Sequence, residues 1–418
     1  MEEPDRSSLP PSPNCTWTAA LPLVPWIRYT SPISRTGSGE VTFEVTLNSG
    51  PEQSASLSVS GHSFTVYQQA ASITSLGLIG SMPHLAAGGG WQTTFTFVNK
   101  GSAAASARPS FFASNGYPQS LLFNLPRQVS PTGSILGWSL DQPIVPNASF
   151  VLQATRPPDG SFVEGSAELA AAGSVDGFAI FHYNPSQQEA VVPLETRNAN
   201  SYLLPFDNTN SLTTGMALEN TMVTPVAVPV TVRDDAGTVL AAFVLQLDSF
   251  GHTSFVLSTQ YAVTANHRGT VEFDSPTGAR ISVLGIRYTP PGTLTTIPAM
   301  ANIGTTGGQI AHLAVSGGWQ TTILLVNTGS ASAAATLKVF GDDGTPLALP
   351  LTFPQGGAPA TTSTFTQSIS PNASLWLQSA GSASASLQTG SAQLTTTAKL
   401  EASSFSDTTQ TGRGLSCR

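Results

Sequence analysis

The chain has 418 residues, enough for several domains, with a formal net charge of −8 and only 10% charged residues. Lysine and arginine form no cluster, which excludes a phosphate-neutralising face and with it nucleic acid as a partner. No apolar run approaches the roughly 20 residues of a spanning helix, and Met1-Glu2-Glu3-Pro4-Asp5 is acidic where a secretory signal is basic and then apolar, so membrane insertion is not expected.

Ser, Thr, Ala and Gly abound, and 31 prolines break short apolar runs. No stretch sustains helical periodicity, so short strands joined by turns are predicted. Cys15 and Cys417 stand near opposite ends and provide no disulfide framework.

In chain order, residues 1–13 are polar and Pro-rich without alternation and read as a disordered tail. Residues 14–70 follow as a small β-sandwich module. It opens at Asn14-Cys15-Thr16-Trp17-Thr18-Ala19 and continues with Trp26-Ile27, Gly37-Ser38-Gly39 and a strand presenting Val41, Phe43, Val45 and Leu47. Leu57 and Val59 then lead through Ser60-Gly61-His62 to Phe64 and Val66, a hairpin pattern. Trp17 and Trp26 suit sugar stacking, although a tryptophan in so small a sandwich more often fills its core.

This set of residues, ending at Phe64-Thr65-Val66-Tyr67-Gln68, resembles the BACON domain over residues 14–69. The resemblance implies a small Ig-like sandwich of secreted bacterial proteins with a proposed carbohydrate- or mucin-binding role. The opening strands of that family are replaced here by the Pro-rich tail, so the module is read as incomplete.

The stretch His84-Leu85-Ala86-Ala87-Gly88-Gly89-Gly90-Trp91-Gln92-Thr93-Thr94-Phe95-Thr96-Phe97-Val98-Asn99 recurs without a gap as His312 through Asn327. A weaker copy lies between them: with Asn220 opposite Asn99 and Asn327, Leu212, Thr214, Met216 and Leu218 match Trp91, Thr93, Phe95 and Phe97. Apolar residues at every second position predict a strand with one buried face. The Asn that ends it, two residues before Gly101 or Gly329, predicts a turn whose side chain satisfies nearby backbone.

Three Ig-like repeats follow, at 78–195, 199–293 and 307–406, each with six to eight short strands in the manner of an antiparallel sandwich. The third lacks the apolar closing strand that Gly177 through Tyr183 provide in the first, which predicts an exposed sheet edge or a replacement segment, with 407–418 as a tail. These features suggest a fragment or altered reading frame of a longer protein. The paired repeats are also similar to Ig-like repeats of large secreted proteins of soil bacteria, which implies a secreted or cell-surface setting.

No HExxH, paired CxxC, P-loop or GxSxG arrangement occurs, and Gly88-Gly89-Gly90 precedes a strand, so it lacks the helix amino terminus that binds phosphate. Asp234-Asp235-Ala236-Gly237 and Asp342-Asp343-Gly344 read as hairpin turns in preference to calcium loops, which supply six or more oxygens. His84 and His312 are expected to brace a domain junction. Trp376 is the outlying aromatic: Leu375 and Leu377 take the core face, which sends Trp376 outward to pack on a neighbouring domain or to meet a ligand.

The sequence therefore predicts an all-β chain of tandem Ig-like antiparallel β-sandwiches, one small truncated module plus three repeats, arranged like beads with limited contacts. The expected function is a non-enzymatic extracellular or cell-surface scaffold or adhesion protein presenting a glycan- or protein-binding face. The alternative is an accessory carbohydrate-binding region of a larger secreted enzyme. No cofactor, metal or catalytic residue is expected. Trp376, Trp17 and Trp26 are the candidate glycan or protein contacts, and the open edge of the third repeat suggests strand-mediated self-association.

Overall fold

Period-two alternation becomes strand almost everywhere it occurs. The computed structural model of the chain describes residues 15–20, 22, 24–45, 53–68, 76–126, 135–289, 292–302, 307–379 and 381–408. Almost all their regular structure is antiparallel β. The expectations for residues 1–13 and for the end of the tail beyond 408 lie outside the described residues. Two compact units divide the chain, Met1–Gln187 and Gln188–Arg418.

The first unit opens with β1 (Thr16–Thr18), β2 (Ile27–Tyr29), β3 (Ser34–Thr36) and β4 (Phe43–Val45), paired as β1 with β3 and β2 with β4. β5 (Gln53–Val59) and β6 (His62–Gln68) form the predicted hairpin. Its turn residues Ser60 and Gly61 have φ of 46° and 87°, the left-handed pair of a two-residue hairpin turn. The buried core of this module is only Ile27, Leu57 and Val66, too little to expect independent stability. It borrows a neighbour instead: β6 runs parallel to the first-repeat strand Ile135–Gly137, with Val66 opposite Leu136.

The first repeat contains β7 (Gly77–Ala87), β8 (Trp91–Asn99), β9 (Ala105–Ala113), β10 (Leu121–Asn124), β11 (Ile135–Gly137), β12 (Gln142–Ile144), β13 (Ser149–Arg156), β14 (Val163–Ala172) and β15 (Val175–Tyr183). One layer runs β12-β9-β14-β7, and the other runs β15-β8-β13-β10-β11 and on into β6 and β5. Phe95, Phe97, Phe111 and Phe123 meet between the layers, with Phe95 and Phe123 respectively 5.1 and 4.8 Å from Phe111 by ring centroids. Each ring withdrawn from water contributes about 1.5–3 kcal/mol.

The second unit begins with β16 (Gln188–Pro193). Its first sandwich holds β17 (Ser201–Asp207), β18 (Thr213–Asn220), β19 (Val226–Asp234), β20 (Val239–Leu247), β21 (His252–Val256), β22 (Arg268–Asp274), β23 (Ile281–Thr289), β24 (Thr293–Pro298) and β25 (Met300–Ala301). Its layers are β20-β19-β22-β17-β25 and β21-β18-β23-β24. A short α1 (Leu257–Gln260) and a 3-10 turn at Ala262–Thr264 interrupt it, and Tyr261 between them stacks on Phe243 at 3.9 Å. An insertion this brief leaves no helical period in the sequence.

The third repeat holds β26 (Gly307–Val315), β27 (Trp319–Asn327), β28 (Ala333–Gly341), β29 (Leu349–Thr352), β30 (Ala360–Thr362), β31 (Thr364–Ile369), β32 (Ser374–Ser379), β33 (Gln388–Thr396) and β34 (Leu400–Thr408). Its layers are β26-β33-β28-β31 and β30-β29-β32-β27-β34.

Two expectations are corrected here. The closing strand of the third repeat is not lost: β34 pairs with β27 from Asn327↔Leu400 to Trp319↔Thr408, the same register as Asn99↔Val175 to Trp91↔Tyr183 in the first. The ladder is built from backbone groups, which a Ser-rich segment supplies as well as an apolar one. Leu400, 1% exposed, still enters the core. Nor are the modules beads with limited contacts, because β6 extends the sheet of the first repeat and the second and third repeats share a buried cluster.

Candidate functional site

The polar residues common to the repeats build a frame. Asn99 donates through Nδ2 to the carbonyls of Ala103 and Ile144, both at 2.8 Å, and its Oδ1 accepts from Gly101 N at 2.9 Å. Asn220 repeats this with Thr224, Asp248 and Met222, and Asn327 with Ala331, Ile369 and Gly329. All three asparagines are fully buried, so the predicted side-chain-to-backbone role stands. Thr93 Oγ1 donates to Ala86 O at 2.8 Å and accepts from Ala86 N at 3.0 Å, tying β8 to β7 in the opposite layer. Thr321 does the same to Ala314, and Thr214 to Asp207 with longer bonds. The organising stretch is thus architecture.

Trp376 points away from its own core, as its frame requires, but its ring is only 2% exposed. Leu203 and Met300 of the second repeat and Leu324 and Val326 of the third enclose it. Arg268 lies above the indole, its guanidinium carbon 5.5 Å from the ring centroid, and donates through Nε to Asp207 Oδ2 at 2.9 Å. The Asp234 to Gly237 turn belongs to the same joint: Ser374 N donates to Asp235 O at 3.0 Å, and a Cβ on Gly237 would meet Pro371 O at 2.9 Å. Trp376 is therefore withdrawn as a glycan contact, because the preceding repeat covers the face a sugar would need.

Trp17 is half-buried on β1 and donates through Nε1 to Gly37 O at 2.8 Å. Trp26 is half-buried against the Ile27, Leu57 and Val66 core. Both are engaged inside the amino-terminal module, and Trp376 inside the second unit.

A different aromatic group emerges at one end of the first repeat, around the Gly88-Gly89-Gly90 turn. Trp91 and Tyr183 are half-exposed, with ring centroids 4.6 Å apart and planes inclined by 32°. Trp91 also lies 5.6 Å from the buried Phe181, which His84 meets edge-on at 5.1 Å. Phe162, 49% exposed, covers Gly89, and Tyr183 and Pro185 flank Gly90. All three glycines have positive φ, so this turn is a bare strip between exposed rings. Sequence reasoning missed the group because Phe162 and Tyr183 come from other strand ends, and only pairing of Trp91 with Tyr183 joins them. The signal was present in Trp91 itself, which opens a strand beside a turn and is left half outside.

The equivalent end of the third repeat is different. Ser406 stands opposite Thr321 where Phe181 stands opposite Thr93, and the two hydroxyls lie 2.8 Å apart. His312 is exposed there whereas burial lowers the pKa of His84, so the two histidines do not share the bracing role expected of them. A cleft of about 280 Å³ opens between β26 and β34, lined by Gly308, Ile310, Leu394, Leu400 and Ala402 among others.

The acidic turns act as turns. Asp234 Oδ1 accepts from Thr238 N at 2.7 Å, and Asp343 Oδ1 accepts from Thr345 N and Oγ1 at 2.9 and 2.7 Å. Among the described residues, no group of three or more His, Cys, Asp or Glu side chains is placed to hold a metal. Burial raises the Glu168 carboxyl to about 7.

No protein-family model matches the chain, and no curated protein matches it. Solved structures give faint likenesses. An archaeal virus chain, described for its triple jelly roll fold and turret assembly, aligns at 11% identity over 90% of this chain and 89% of that one, with a TM-score of 0.18. A GH2 β-galacturonidase from Eisenbergiella tayi aligns at 12% over 73% and 46%, with a TM-score of 0.13. A Bacteroides ovatus protein, SGBP-B of a mixed-linkage glucan utilization locus, aligns at 9% over 92% and 90%, with a TM-score of 0.09. Scores this low carry no argument about function, so the site must be argued from its own residues. Among the described residues no helix is long and apolar enough to cross a membrane.

Proposed function

We propose that this chain is a non-enzymatic extracellular or cell-surface scaffold that presents a glycan-binding face at the glycine-turn end of its first repeat. The observation that carries this reading is the half-exposed pair Trp91 and Tyr183 beside the 49%-exposed Phe162, on a turn with no side chains to obstruct approach. Ring faces left open in this way suit the apolar faces of sugar rings, and the exposed Asn184 and half-buried Gln92 stand beside them with amide donors and acceptors. The frame behind it supports presentation: three sandwiches built on the same buried Asn and Thr bonds, with two of them joined through Trp376.

The test is a glycan-array and polysaccharide-pulldown screen of the full chain with Trp91→Ala and Phe162→Ala, and with Trp138→Ala, an exposed tryptophan elsewhere on the repeat, as control. Saturable binding lost in the first two and kept in the third supports the reading. Absence of binding by the folded chain, or binding indifferent to both platform substitutions, overturns it. Turnover of any glycan or peptide in the same panel would overturn the non-enzymatic part.

A further inference from the structure

The same edge strand occurs once in each repeat, and its three versions differ in one respect. β12, β20 and β31 each close their layer beside β9, β19 and β28, and each leads to a carbonyl held by the buried asparagine of its repeat. An edge strand presents unpaired backbone donors and acceptors, and proteins blunt it by shortness, proline, charge or polar side chains. β12 is three residues long and includes the exposed Pro143. β31 has six residues and faces solvent with Thr364, Thr366, Gln367 and Ser368. β20 has none of these devices. It runs nine residues, Val-Leu-Ala-Ala-Phe-Val-Leu-Gln-Leu, without proline or charge, and Val239 and Val244 are each 54% exposed on its outer face.

We infer that β20 is a dimerisation edge that pairs antiparallel with β20 of a second copy of this chain. The occupant follows from the strand's own composition. Pairing about Phe243 sets Ala242 opposite Val244 of the second copy and Ala241 opposite its Leu245, so small and larger apolar residues alternate across a two-fold axis and no like charges meet. Nine residues give about 30 Å of ladder and about eight backbone hydrogen bonds, close to the roughly ten of a standard interface. The paired outer faces bury Val239, Ala242 and Val244, the apolar surface that the other repeats avoid at this position. The self-association expected at the third-repeat edge is thereby placed on the second.

The experiment is sedimentation velocity of the full chain across a concentration series. A monomer–dimer equilibrium is expected. Val244→Lys, which adds the protective charge natural edges carry, should weaken it by about tenfold or more, with circular dichroism and the thermal transition unchanged. Thr366→Lys, at the polar edge of the third repeat, should leave it intact. The register is read separately: with Cys15 and Cys417 replaced by serine, chains bearing Ala242→Cys should form a disulfide with chains bearing Val244→Cys in a mixture, and neither should do so alone. A chain that stays monomeric at every concentration overturns the inference, as does a dimer that Val244→Lys leaves unchanged while Thr366→Lys breaks it.

Discussion

Arg268 caps Trp376, with 5.5 Å between the guanidinium carbon and the indole centroid, and the same guanidinium is anchored by Asp207. The residues belong to different repeats, so the contact makes two sandwiches one unit. Trp376→Ala empties a buried site and is expected to cost about 3–5 kcal/mol. In a double-mutant cycle with Arg268→Ala, the coupling should be about 0.5–2 kcal/mol. Urea denaturation measures both, and a coupling of zero would mean that Arg268 is held by Asp207 alone.

The buried asparagines give a second prediction. Asn327→Ala removes three short bonds and leaves two carbonyls and one amide without their partner, an expected loss of about 2–4 kcal/mol. Asn327→Asp should cost more at neutral pH, because an acceptor-only carboxylate then faces the carbonyls of Ala331 and Ile369. Acid should narrow the gap, since a protonated carboxyl regains one donor. If the Asp variant matches wild type at pH 7, the amide assignment is wrong.

The repeats, their sandwich type and the roles of Asn99, Asn220 and Asn327 were legible because each rests on local alternation or on a turn within four residues of the side chain. β34 was not, since a ladder made by backbone groups does not require the apolar period that Phe178 to Tyr183 show in the first repeat. The outward direction of Trp376 was readable from its neighbours, but what covers it comes from residues more than one hundred positions earlier. The Trp91, Tyr183 and Phe162 group was hidden for the same reason: three strand ends meet only in the folded repeat.

Two turn glycines should respond differently to the same change. A Cβ at Gly88, φ 81°, would stand 2.0 Å from Ser161 O, whereas one at Gly344, φ 77°, meets nothing within 4 Å. Gly344→Ala should therefore cost only the left-handed backbone penalty, about 1–2 kcal/mol. Gly88→Ala must also displace the loop that carries Phe162, so its thermal transition should fall further. Equal losses would show that the loop yields freely.

Three copies treat one acidic position in three ways, and this fixes a pH dependence. Glu272 pairs with Arg233 at 2.7 Å, and Gln393 is neutral and exposed. Glu168 is mostly buried, its Oε1 has no hydrogen-bond partner among the described residues, and desolvation holds its pKa at about 7 against 4.5. Between those values the folded state keeps a proton that the unfolded chain has released, so stability falls as pH rises from about 4.5 through about 7. The shift corresponds to a loss on the order of 3 kcal/mol, complete above the folded value. Glu168→Gln should remove this decline and leave the first repeat more stable than wild type at pH 8, with little difference at pH 4. Thermal melts of the two proteins across that range measure it, and parallel pH profiles would show that Glu168 is ionised and solvated in the folded repeat.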